Sequence, residues 1–130
     1  MATTSAFNRG KVKTAVARVD PAHNGASNGI TIKLPQNSLL LRLSAASVTA
    51  FDGTGTVTIT STDGTTAFLS AVDVKNTAGF ETASTAPPKF YPAGGTITTY
   101  ITDQNSNSAA GDAFVVYEYV ELSEGCEVYG

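Results

Sequence analysis

The sequence predicts an all-β fold, an antiparallel β-sandwich. Three observations carry this. Thr and Ser alternate with Val, Ile and Leu at a period of two, most clearly where Val57 and Ile59 interleave with Thr56, Thr58 and Thr60. That is the pattern of a strand with one dry face and one wet face. Twelve Gly and five Pro punctuate the chain and supply turns between such runs. The third observation is how little reactive chemistry is present: one His, one Cys, no Trp and only 15% charged residues. Branching at Cβ stiffens Thr and Val and suits them to a pleated surface.

The elements follow in order. Residues 1–9 are short, small and polar apart from Phe7, and read as a flexible N-terminal arm. Residues 11–19 form a strand, with Val12, Thr14 and Val16 on one face and Lys11, Lys13, Ala15 and Ala17 on the other. Pro, Gly and Asn make residues 20–29 a loop. Ile30, Ile32 and Leu34 mark a second strand, ended by Pro35. Residues 39–48 begin with three consecutive Leu, which suits either a strand buried on both faces or a helix; the flanking turns favour the strand.

Residues 57–62 are the clearest strand, and Asp63 with Gly64 is a hairpin-type turn. Residues 68–74 suit a strand or a short helix, and residues 75–89 read as an irregular surface loop. Ile97, Thr99 and Ile101 share one face of a strand over 96–102, and residues 103–112 form a polar loop. The last strand, 113–122, places Phe114, Val116 and Val120 on one side and Tyr117, Tyr119 and Glu121 on the other. Residues 123–130 form an acidic tail. Seven or eight short strands at turn-separated intervals point to a sandwich or barrel. No internal repeat is present, which argues against a solenoid or propeller. The organisation is an arm over 1–9, one sandwich domain over 10–122 and a tail over 123–130, a size that supports one core.

The function classes narrow by chemistry. His23 is the sole His and lies in a Pro/Gly/Asn loop, where it reads as a solvated residue rather than a general base. One His and one Cys cannot make a tetrahedral metal set. The anionic neighbours of Cys126 raise a thiol's pKa rather than activate it. Glu118 and Glu121 fall on opposite faces of a strand and cannot cooperate. The run from Asp103 to Asn107 has oxygens at the first, third and fifth places of a calcium loop. It lacks the Gly at the sixth and the Glu at the twelfth, and reads as a solvated hairpin loop. No enzyme, no cofactor and no metal are expected.

Charge is split along the chain. Residues 1–42 carry six cations against Asp20, a net of +5, and the remainder carries Lys75 and Lys89 against ten carboxylates, a net of −8. Such a division favours docking contacts, or the pairing of a basic first strand with acidic neighbours inside one fold. Stacking aromatics are missing between the basic residues, so nucleic acid is not an expected partner. No run approaches the ~20 apolar residues of a membrane helix, and residues 1–10 show no secretory h-region. A single Cys cannot close an internal disulfide, which suits synthesis in a reducing cytoplasm.

Several motifs resemble those of small structural proteins of tailed bacteriophages. They are the turn Leu34-Pro35-Gln36-Asn37 leading into a strand, the segment Thr49-Ala50-Phe51-Asp52-Gly53-Thr54 opening a hairpin, and the closing strand 110–120. The resemblance covers about two-thirds of the chain and rests on structural turns. It is to the capsid decoration, or cement, class. It implies a jelly-roll sandwich without catalytic residues, made in the host cytoplasm and seated on the outer capsid of the virion. The implied partners are the major capsid protein and further copies of the chain, with a homotrimer favoured. Phe7, Arg9, Lys11, Lys13 and Arg18 are the expected capsid-facing residues, and Tyr117 and Tyr119 the expected oligomer interface. The alternative is a carbohydrate- or receptor-binding jelly roll, such as a head fibre or tail component, with Tyr91, Tyr100, Tyr117 and Tyr119 as aromatic platforms.

Overall fold

The computed structural model describes residues 11–75, 81–83 and 88–122. The expected arm and tail, with Phe7, Arg9 and Cys126, lie outside the described residues. Among the described residues there are nine strands: β1 (Val12–Val19), β2 (Ile30–Leu34), β3 (Ser38–Thr49), β4 (Val57–Thr62), β5 (Ala67–Asp73), β6 (Glu81–Ala83), β7 (Lys89–Tyr91), β8 (Gly95–Asp103) and β9 (Asp112–Glu121). Two short 3-10 turns, Pro21–His23 and Ala26–Asn28, join β1 to β2.

The strands form two antiparallel sheets, β1-β9-β3-β6 with β7 also on β3, and β2-β8-β4-β5. β6 pairs with Ser44 to Ala46 and β7 with Ser38 to Leu40, so the two short strands share one lane beside β3. Read with that shared lane, the order is that of a jelly roll, in which the chain crosses repeatedly between sheets. The sandwich expected from periodicity is what forms.

One open reading is resolved and two change. Residues 67–73 are a strand, not a helix, and the expected surface loop over 75–89 contains β6 and begins β7. The Leu run of β3 is not buried on both faces. A register shift between Leu40 and Arg42 inserts one extra residue, so Leu40 and Leu43 both point into the core while Leu39 and Leu41 are half-buried. A bulge breaks the period of two, and simple alternation cannot anticipate it.

The core lies between the sheets. The second sheet fills it with Leu34, Val57, Ile59, Ile97 and Ile101, all buried. The first sheet supplies Ala17, Val19, Leu40, Leu43, Ala113, Val115 and Tyr117. At the end of the sandwich Phe51 is buried beneath Gly111, where any added Cβ would lie 2.2 Å from the ring. That close approach requires glycine.

Ala71 sits in β5 with φ of 51°, next to an irregularity in the pairing with β4. A left-handed backbone costs a residue with a Cβ about 1–2 kcal/mol. Ala71→Gly is therefore expected to stabilise the fold by about 0.5–1 kcal/mol after its own entropy cost. Thermal unfolding checks this: the midpoint should rise by a few degrees.

Candidate interaction surfaces

β1 and β9 are apolar on both faces, and register decides which face is buried. Ala15, Ala17 and Val19 pair with Tyr117, Val115 and Ala113 on the core side. Val12, Val16, Phe114, Val116 and Val120 point outward. One outer row runs across four strands, Val12 to Val120 to Leu39 to Phe90. A second row holds Val16 and Val116 beside Ser44, and a third holds Arg18 and Phe114 beside Ala46. Val12 is 55%, Val16 52% and Phe90 46% exposed, values unlike those of a covered strand face. Between the first two rows stand Thr14, Glu118 and Arg42, so the face carries separate apolar bands with an ion pair between them. Apolar side chains left this exposed on a small domain mark a candidate interaction surface.

The charges of these strands are paired with one another, Arg18 and Arg42 on the outer face and Lys13 on the opposite parity. Arg18 forks onto Asp112, with Nε donating to Oδ1 at 2.8 Å and Nη2 to Oδ2. Its guanidinium also lies 5.0 Å from the centre of the Phe114 ring. Arg42 Nε meets Glu118 Oε2 at 3.0 Å, and Lys13 Nζ meets Glu121 Oε1 at 3.1 Å. The basic first strand thus pairs with acidic β9 inside one fold. Of the expected capsid-facing residues, Lys13 and Arg18 are engaged in these pairs, and Lys11 is exposed.

The expected oligomer interface requires correction. Tyr117 has no exposed surface, and Tyr119 is partly buried and packs against the core. β9 turns its Tyr side inward because Tyr117 meets the buried hydroxyl of Thr99. Phe114, Val116 and Val120 form the outward side. Of the four Tyr considered as sugar platforms, Tyr91 is also buried, its hydroxyl donating to Asp63 Oδ2 at 2.8 Å. Tyr100 remains half-buried on the outer face of the second sheet.

The remaining candidates are structural. The backbone N–H of Asp20 donates to His23 Nδ1 at 3.0 Å, and Asp20 Oδ1 accepts from the Ala22 N–H at 2.9 Å, so His23 closes a capping box. The Asp103 carboxylate holds its own loop by accepting from the Ser108 N–H at 2.9 Å. Burial alone would raise the Asp103 carboxyl; the Ser108 hydroxyl and loop N–H groups outweigh this and hold it below the ordinary value. Among the described residues no three His, Cys, Asp or Glu side chains gather as a metal-holding group. No helix among them is long and apolar enough to cross a membrane.

The sequence matches no protein-family model and no curated protein. The fold is similar to solved structures. A chain of the cyanophage Pam1 capsid asymmetric unit aligns with TM-score 0.68 and 17% identity, over 87% of this chain and 86% of that one. A chain of the acid-stable capsid of Helicobacter pylori bacteriophage KHP30 aligns with TM-score 0.59 and 15% identity, over 84% of this chain and 86% of that one. At these identities the likeness is one of fold.

Proposed function

We propose that this chain is a virion structural protein that decorates the outside of a phage capsid and cements contacts between major capsid subunits. The observation that carries this reading is the exposed apolar bands on the outer face of β1, β9 and β3 of a jelly roll. The likeness in fold to chains of phage capsid structures supports it. On this reading the face of Val12, Val16, Val116 and Phe90 seats on the shell. Lys11 and residues 1–10 extend the contact, and copies repeat around a symmetry axis, with a trimer favoured.

Repetition matters physically. A specific contact needs about 1,000 Å² or more of buried surface. Linked copies convert weak single contacts into high avidity.

Cosedimentation with shells of the virus that encodes the chain tests the reading. The intact protein should bind at fixed stoichiometry. Val16→Glu combined with Val116→Glu should weaken binding by about 100-fold or more, since each places an unpaired charge in a desolvated contact. The thermal midpoint should fall by only a few degrees, because both side chains face outward and the cost is the repulsion of two Glu opposite each other on the β1–β9 ladder. Removal of residues 1–10 should also weaken binding. An intact protein that ignores the shells sinks the proposal; undiminished binding by the double variant would move the contact to another face.

A further inference from the structure

The second sheet turns a different chemistry outward. Thr31, Thr98 and Thr62 stand in one row across β2, β8 and β4, and Thr58 pairs with Thr102 in another. Tyr100, opposite Thr60, is the aromatic of this face. At one end of the face Thr54, Thr56 and Thr58 meet Asp73, Lys75 and Gln104 around a groove of about 430 Å³. Small-ligand sites span about 300–1,000 Å³.

The polar groups of the groove are held in place. Gln104 Oε1 accepts from the Thr56 N–H at 3.1 Å, which fixes the amide plane and leaves its NH2 to donate. Asp73 Oδ1 accepts from the Lys75 N–H at 2.8 Å, which leaves Oδ2 to accept. Lys75 Nζ lies 3.3 Å from the Thr54 carbonyl oxygen. Tyr100 is the diagonal neighbour of Thr58 across the β4–β8 ladder, a separation an aromatic side chain spans.

We propose that this groove binds a neutral pyranose of a polysaccharide. The ring's vicinal hydroxyls donate to Asp73 and accept from Gln104 and Lys75, and the next ring of the chain passes over Thr58 onto Tyr100, which stands beside the groove. A pyranose needs this combination of fixed planar acceptors and donors beside one apolar platform. Asp73 and Lys75 cancel in charge, which favours a neutral ring over an anionic one. Preorganised polar groups lose little entropy on binding. The groove opens on the side of the sandwich away from the Val12–Phe90 row, so sugar binding does not depend on capsid docking.

Backbone-amide NMR titration of the full chain tests this, with maltotriose, mannotriose and chitotriose at millimolar concentration as probes. At least one should give saturable shifts confined to Thr56, Thr58, Asp73, Lys75, Tyr100 and Gln104. Tyr100→Ala, or Tyr100→Leu if the smaller side chain disturbs the fold, should weaken binding about tenfold. Thr58→Val should weaken it less, and Val16→Glu on the opposite face should leave it unchanged. Absence of saturable shifts with all three sugars overturns the proposal. So does binding undiminished by loss of the ring. Shifts that appear at the same residues on concentrating the protein without sugar would assign the groove to a second copy instead.

Discussion

Tyr117→Ala should destabilise the protein by about 4 kcal/mol, the scale of removing a large aromatic from a core. Tyr117 heads the fully buried side chains by size. Domains are stable by about 5–15 kcal/mol in total, so this single change approaches the threshold of folding. The loss has two parts. The ring fills the core beneath β9, and its hydroxyl bonds to Thr99 Oγ1, which in turn lies 2.8 Å from Ser61 Oγ. Those three hydroxyls come from β9, β8 and β4, so the chain of bonds crosses from one sheet to the other. Tyr117→Phe separates the parts: it keeps the ring, leaves Thr99 and Ser61 to satisfy each other, and should cost about 1–2 kcal/mol.

Alkaline pH probes the same group. Burial pushes the Tyr117 hydroxyl up to about 12, above its ordinary value. Its folded pKa is raised, so its stabilising contribution is fully present below about pH 10 and fades as pH rises toward 12. Chemical denaturation of both variants at neutral pH, and of the parent from pH 9 to 12, measures all of this. A Tyr117→Ala protein as stable as the parent would remove the residue from the core.

Asp63→Ala should cost about 3 kcal/mol, the lower end for breaking a buried, charged network. The Asp63 side chain is 5% exposed. It accepts from Lys89 Nζ at 2.5 Å and from the Tyr91 hydroxyl at 2.8 Å, both on β7. It also accepts from the N–H groups of Thr65 and Thr66 at 2.9 and 2.7 Å. One carboxylate therefore shapes the β4–β5 turn and ties it to the opposite sheet. Removing it frees the turn, leaves the Tyr91 hydroxyl without its acceptor and leaves the Lys89 ammonium only the Thr65 and Thr66 hydroxyls.

Burial alone would raise the Asp63 carboxyl. The Lys89 ammonium, the two N–H groups and the Tyr91 hydroxyl outweigh burial and hold it well below the usual carboxylate range. A depressed folded pKa stabilises above the unfolded value near 4, and the contribution is lost as pH falls from there toward the folded pKa. The parent should lose stability progressively below about pH 4, and Asp63→Asn should flatten this acid limb. Urea midpoints of both proteins between pH 2 and 7 provide the check; parallel acid limbs would refute the role.

Much of the fold was legible because alternation and turns agree in the second sheet. Val57, Ile59, Ile97 and Ile101 were readable as inward-facing from their Thr neighbours, and all are buried. The first sheet hid its orientation for the same physical reason that makes it interesting. Where both faces are apolar, as in the run Phe114, Val115, Val116, Tyr117, period two persists but does not say which side is wet. The outward apolar rows were missed for that reason, and Tyr117 was assigned to the surface. The missed signal was the presence of large apolar groups on both parities of one strand. The Asp63–Lys89–Tyr91 cluster was not legible either, since its members lie 26 and 28 positions apart and meet only through the fold.

The pairing of Val12 with Val120 has a practical consequence. The chain enters β1 and leaves β9 at the same row of the apolar face. The backbone that runs into β1 and out of β9 therefore borders the surface proposed to seat on the shell. The 103–111 loop lies at the far end of β9, about 30 Å from Val120 at the rise of an extended strand. It is held by side-chain bonds from Asp52 and Thr54. For presenting a foreign peptide away from that surface, this loop is the site the architecture offers.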